Sequence, residues 1–206
     1  MQQEESKTEQ LRAIRDEVRN LTDSPLYKYR IDNNYYPVLG EGSHDAKIMF
    51  IGEAPGEKEA LSGRPFCGTS GKMLDTLLES IRLLRADVYI TNIVKDRPPG
   101  NRDPLPEEIA QYAPFLNRQI EIIRPRIIAT LGRYSMKYIF EHLGLASALK
   151  PISVLHGASF EGKTAYGAVT LIPLYHPAVA LYNGGMRDTL KNDFKIIQKT
   201  FDGKSL

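Results

Sequence analysis

KIMFIGEAPGEKEALSGRPFCGTSGKMLDTLLESIRLL, residues 47–84, reads as one strand, one loop and one helix. Residues 47–51 form a short apolar run that stops at Gly52, the pattern of a buried core strand. Residues 52–71 are rich in glycine and proline, which marks a loop. Beyond them Met73, Leu74, Leu77, Leu78 and Ile81 recur at helical spacing and predict a helix over 72–84. The same succession repeats downstream. Residues 88–91 read as a second strand and 95–106 as irregular chain. A helix opens at Leu105-Pro-Glu-Glu108, where proline and acids suit a first turn, and is stopped near Ile123 by Arg124-Pro125. Residues 126–131 give a third strand with a helix over 134–142 behind it. Residues 154–155 and 169–173 read as later strands and 186–201 as a last helix. Upstream, Leu11, Ile14 and Val18 set an amphipathic helix over about 8–20, and 22–42 has no period and reads as a long loop.

Strands that alternate with helices predict an α/β fold whose mostly parallel sheet is covered on both faces. Ligands bind such sheets in the crevice beyond the carboxyl ends of the strands. Three loops leave strands at that edge: 52–71, 92–106 and the one opening at His176.

Composition narrows the class. The 206 residues suit one domain over 1–206, with 42% hydrophobic and 25% charged residues as in ordinary globular proteins. No stretch approaches the roughly 18 apolar residues of a membrane span. The opening MQQEESKTEQ is too polar for a secretory or transit signal. A single cysteine, Cys67, excludes an internal disulfide framework and leads us to expect a cytoplasmic protein. A net charge of +2 does not by itself argue for nucleic acid. Arg118, Arg124, Arg126, Arg133 and Lys137 cluster around one acid, Glu121, which reads as a solvated helix face.

Chemistry-bearing residues fall in the three loops. Glu53 stands one residue past the first strand, ahead of the surface acids Glu57 and Glu59. Gly68-Thr69-Ser70-Gly71 runs into a helix start, where backbone N–H groups and hydroxyls serve either to cap the helix or to hold a phosphate. Neither a Walker loop nor a dinucleotide fingerprint is present. Phe66 reads as a core residue or as a platform for a stacked base. Asn92, just after the second strand, offers an acceptor and donors side by side, the complement of an imide edge, and is equally a common turn residue. His176 opens the third loop.

Read together, GEAPGEKEALSGRPF (52–66), TNIVKDRPPGNRDP (91–104), APFLNRQIEIIRPRIIATLGR (113–133) and PLYHPAVAL (173–181) closely resemble the motifs of family 4 uracil-DNA glycosylases, in order and over nearly the whole chain. The resemblance implies a three-layer α/β/α sandwich with a short, mostly parallel four-stranded central sheet. It implies a monofunctional enzyme that flips deoxyuridine out of DNA and releases uracil, with DNA as partner and no obligate protein partner, acting as a monomer. A non-catalytic DNA-binding module of the same fold and a glycosylase for another deaminated base are the competing readings. By this resemblance Glu53 and His176 are catalytic, and Ala54, Phe66 and Asn92 hold the base. Gly68, Thr69, Ser70, Leu181 and Tyr182 face DNA, with Leu181 as a wedge into the vacated stack.

Two departures stand out. Tyr182 occupies a place where the family usually has arginine. The family's four cluster-binding cysteines fall at Leu21, Ser24, Asp96 and Tyr112, so no cofactor and no metal is expected. Packing should then replace the cluster: these four residues should lie together, with Leu21 and Tyr112 buried and with Ser24 and Asp96 bonded to loop backbone or to Lys95 or Arg97.

Overall fold

Parallel pairing of four strands organises the computed structural model, which describes residues 5–203. The first four residues of the polar opening lie outside that range. The chain runs α1 (Lys7–Arg19), α2 (Tyr27–Asp32), β1 (Glu41–Gly42), β2 (Ile48–Gly52), α3 (Glu57–Ser62), α4 (Thr69–Ser80) and β3 (Tyr89–Asn92). It continues through α5 (Pro106–Ile123), β4 (Ile127–Leu131), α6 (Arg133–His142), α7 (Ile152–Leu155), β5 (Phe160–Thr164), β6 (Gly167–Leu174), α8 (Val179–Tyr182) and α9 (Met186–Gly203). The sheet order is β1-β3-β2-β4-β6-β5. The four inner strands are parallel, with Phe50 opposite both Ile90 and Ala129. β1 and β5 add antiparallel edges, so the sheet has six strands where four were expected.

Every residue of β2 is buried, because both faces of the sheet are covered. Ile48 and Phe50 pack with Leu74 and Leu78 of α4 and with Leu190 and Ile197 of α9. The Phe50 and Phe194 rings stack, with centroids 5.7 Å apart. Met49 and Ile51 turn the other way, into a cluster with Ile14 of α1, Leu116 of α5 and Ile139 of α6. Period-two alternation along buried strands thus builds two cores and three layers. Local signals start the helices. In α1, Ser6 Oγ accepts the Glu9 N–H while the Glu9 carboxylate accepts the Ser6 N–H. In α5, Pro106 follows an N-cap whose N–H is bonded by Glu108.

Three stretches differ from the sequence reading. Residues 154–155 belong to the single turn α7 behind Pro151, not to a strand. β5 was not foreseen: it is an edge strand, and Gly162 alone in it is buried, so it shows no core run. The long loop 22–42 contains α2 and β1. Its helix was hidden because the residue that buries it is a cation, Arg30.

Arg30 Nη1 donates to Asp96 Oδ2 at 3.0 Å and to Val18 O, and Nη2 donates to Arg19 O at 2.7 Å, which places the charge at the negative end of α1. Tyr112 donates to Asp96 Oδ2 at 2.6 Å, and Ser24 Oγ lies 2.6 Å from the Tyr112 hydroxyl. Ser24 Oγ in turn accepts the Leu26 N–H. Ser24, Asp96 and Tyr112 therefore join as expected, and Tyr112 is fully buried. Leu21 is only half-buried at the margin of the same core. The cation is Arg30, not Lys95 or Arg97: a guanidinium reaches a carboxylate and two carbonyls at once, which neither neighbour is placed to do. No helix among the described residues is long and apolar enough to cross a membrane.

Removing the Asp96 carboxylate strands Arg30 in a buried site. Asp96→Ala should lower unfolding free energy by about 3–5 kcal/mol, against about 1 kcal/mol for Tyr112→Phe. Urea denaturation of the two variants checks this ordering.

Candidate active site

Neighbouring parallel strands deliver the first two site residues. Glu53 follows β2 directly, and Asn92 is the last residue of β3 rather than the first beyond it. Two irregular backbone bonds follow the strand pairing, with Ile93 N–H donating to Gly52 O and Val94 N–H to Glu53 O. His176 leaves β6 two residues after its end. Glu53, Ala54, Phe66, Asn92 and His176, up to 123 positions apart in sequence, line one cavity of about 250 Å³. That is below the roughly 300–1,000 Å³ of sites for drug-sized ligands and suits a single small ring.

Phe66 is buried and has a left-handed backbone, φ 47°, which non-glycine residues seldom adopt. Two neighbours hold it there. A Cβ on Gly71 would fall 1.7 Å from Phe66 O, so only glycine lets α4 come this close. Glu59 Oε1 accepts the N–H groups of Cys67 and Gly68 at 3.0 and 2.8 Å. The Phe66 ring is thereby set 5.7 Å from the His176 ring, tilted by 31°. Glu59 also corrects the reading of the α4 start: the N-cap is Gly68, no hydroxyl caps it, and the Gly68 N–H is taken by a carboxylate. Gly68, Thr69 and Ser70 instead line a groove with Leu181 and Tyr182, adjoining the cavity through Ser70.

Asn92 is buried, and its Oδ1 has no hydrogen-bond partner among the described residues. A Cβ on Gly52 would lie 2.3 Å from that oxygen and 2.8 Å from Phe66 Cζ, so bare backbone makes room for amide and ring together. A buried acceptor without a donor costs about 1–3 kcal/mol.

His176 Nδ1 accepts the Ala178 N–H at 3.2 Å, which leaves the ring proton on Nε2. Burial pushes its pKa down, with Glu59 opposing, so the ring is a neutral donor. Glu53 is half-buried, and its pKa is pushed up to about 7, first by burial and then by the Asp103 charge, against Arg133. Arg133 and Tyr134 hold that Asp103. Glu53 thus changes charge near neutral pH.

Sequence reasoning passed over Glu59, Asn101 and Arg102, all of which reach the cavity. Glu59 carries no signal of its own, because α3 was read as loop. Asn101, at φ 55°, accepts from Arg97, and Arg102 is held by both oxygens of Glu108, contacts that cross the irregular segment unseen in spacing. In the basic run, Arg118 pairs with Glu17, Arg133 with Asp103 and Lys137 with Glu141, in keeping with a solvated face.

The residues at the four cluster positions do not fit an iron–sulfur cluster. Leu21 offers no donor atom, and Ser24, Asp96 and Tyr112 spend theirs on one another and on Arg30. Cys67 lies apart, beside Phe66, with Sγ 3.2 Å from Ser62 Oγ. Among the described residues no group of three or more His, Cys, Asp or Glu is arranged to hold a metal ion.

Comparison with known proteins places the chain in a family. Residues 39–199 match the family model described as the uracil DNA glycosylase superfamily. A type-4 uracil-DNA glycosylase of Saccharolobus solfataricus is 44% identical, over 94% of this chain and 87% of its own. One from Sulfurisphaera tokodaii is 45% identical over 92% and 84%, and one from Archaeoglobus fulgidus 43% identical over 92% of each chain.

The raised pKa of Glu53 means that the folded state holds this proton more tightly than the unfolded chain does. Its contribution to stability is present below the unfolded value of 4.5 and is lost as pH rises through about 7. Glu53→Gln should therefore melt increasingly above the parent as pH rises from about 5 to about 8. Thermal melts across that range check the sign.

Proposed function

The chain belongs to the uracil DNA glycosylase superfamily, and on that premise we propose that it hydrolyses the N-glycosidic bond of deoxyuridine flipped out of DNA, releasing uracil and leaving an abasic site. The enzyme is a uracil-DNA glycosylase of DNA repair. The unpartnered, buried Asn92 Oδ1 is the observation that carries this reading. Uracil presents an N–H at N3 between two carbonyls, whereas cytosine presents a bare acceptor there. Uracil would satisfy the Asn92 oxygen, and cytosine would leave two acceptors facing each other, a mismatch that polar sites reject strongly.

The bond is inaccessible within a stacked duplex, so the nucleotide must leave the helix. Phe66 would stack on the base as it enters. Leu181 and Tyr182, the latter 90% exposed on α8, flank the adjoining groove and are suited to fill or stack against the gap. Thr69 and Ser70, with the Gly68 turn, would steer a flanking phosphate.

As the bond from N1 to the sugar C1′ breaks, its electron pair departs with the base, and positive charge grows on the sugar. The Nε2–H of neutral His176 and the Ala54 backbone N–H would meet the negative charge. The Glu53 carboxylate would take a proton from the water whose oxygen bonds to C1′, and it favours the cationic sugar beforehand. No step needs a metal or a cluster, and we propose that the protein works without a cofactor, as a cytoplasmic monomer on single- or double-stranded DNA.

Labelled oligonucleotides bearing uracil, hypoxanthine or xanthine, incubated with the protein in chelator and then cleaved by alkali, test the reading. Uracil strands alone should break. A preference for another base, or binding without cleavage, would replace it. Under single-turnover conditions Asn92→Asp, which sets a carboxylate against a uracil carbonyl, should slow excision by about 100-fold or more. Because Glu53 must be ionised to act, the parent rate should rise with pH through about 7 and the rise should vanish in Glu53→Gln.

A further inference from the structure

Lys95 is fully buried, and none of the described carboxylates pairs with it. Its Nζ donates to Asn92 O at 2.7 Å, to Thr91 Oγ1 at 2.8 Å and to Gln119 Oε1 at 2.6 Å. Each acceptor is turned toward it by other bonds. The Thr91 hydroxyl spends its proton on Leu39 O at 2.7 Å, so its lone pairs face the lysine. Gln119 Nε2 donates to Leu39 O and to the Tyr89 hydroxyl, which leaves Oε1 on the lysine side. Asn92 O is a carbonyl and accepts only. Three oriented acceptors match the three N–H bonds of an ammonium, whereas a neutral amine would turn a lone pair toward one of them. Burial pushes the other way, holding the lysine pKa well below its ordinary value, and the three oriented acceptors oppose that push.

A cation deep in a protein without a counter-ion is costly, and the three hydrogen bonds to Lys95 Nζ offset part of that cost. It sits one hydrogen bond behind the backbone of Asn92, whose side chain lines the cavity. We propose that Lys95 is a positioning residue for the reaction: its ammonium fixes and polarises the Asn92 peptide, so that the pocket floor is electropositive where the departing base becomes an anion. The inference rests on the uracil-excision reading and deepens it. Among the described residues no other ionisable side chain donates to these three acceptors, and the charge acts through Asn92 rather than by touching the base.

The test compares leaving groups. 5-Fluorouracil forms a more stable anion than uracil and needs less help to depart. In single-turnover assays on oligonucleotides carrying either base, Lys95→Met should slow uracil excision by about 100-fold and 5-fluorouracil excision clearly less, with affinity for abasic DNA unchanged. Lys95→Gln keeps two N–H donors without the charge and serves if the methionine variant does not fold. It should show the same unequal loss. Equal loss for both bases, or a parent-like rate in Lys95→Gln, would overturn the proposal and leave uracil excision standing. A parent protein that releases neither base would instead overturn the functional reading beneath it.

Discussion

The pairing of β2 with β3 is followed by two more backbone bonds. Ile93 and Val94 donate to Gly52 O and Glu53 O, at 3.1 and 3.0 Å, and the site depends on them. Adjacent strands lie about 4.8 Å apart, so two bonds past the strand ends fix the acid loop and the asparagine loop against each other. β3 lies on one side of β2 and β4 on the other, so the loops that follow β2 and β3 separate from the later ones at this edge. Such a divergence is where an open α/β sheet holds a crevice. β6, beyond β4, brings His176 into the same crevice, and Gly132 N–H bonds Leu174 O to tie the two strand ends.

Behind this ladder the cavity is shaped by missing side chains and by one strained residue. Gly52 and Gly71 are places where any Cβ would collide with Asn92, with the Phe66 ring or with the Phe66 backbone. A left-handed non-glycine residue costs roughly 1–3 kcal/mol and persists only when its surroundings over-determine it. Glu59, by bonding the two N–H groups after Phe66, supplies that determination. Ring, amide and imidazole are therefore held in place by the fold itself, so a ligand bound between them meets a lower ordering cost.

The N-terminal segment is held by a different device. One ion pair, Arg30 with Asp96, sits at the centre of bonds to α1, to the turn at Ser24 and to Tyr112 of α5. Burial pushes the Asp96 pKa up, opposed by Tyr112 and Arg30. Desolvating two charges offsets much of their attraction, so the network adds less net stability than its bond count implies. Its effect is to set register among four segments. Asp96 also follows Lys95 directly, so the residue that anchors the N-terminal segment and the one that grips the Asn92 peptide share a single stretch of backbone.

Much was legible in the chain itself. Apolar runs at 47–51, 126–131 and 169–173 and the stripe from Met73 to Ile81 mark buried strands and helices, because burial imposes periods of two or 3.6 on apolar residues. Glu53, Asn92 and His176 stood out because each sits at a strand's carboxyl end, and four long motifs placed the chain in its family. What has no period stayed hidden: the turn around Arg30, the edge strand Phe160–Thr164, and Glu59, whose partners are backbone N–H groups. Sequence alone thus determined the layers, the family and the candidate residues at the sheet's carboxyl edge, since these follow from side-chain type and order. Only the tertiary structure decided that Asn92 Oδ1 has no donor among the described residues, that burial raises the Glu53 pKa to about 7 and that the Lys95 amine is fully buried among three neutral acceptors. Those properties belong to the surroundings of a residue, and the surroundings are assembled from parts of the chain that only folding brings together.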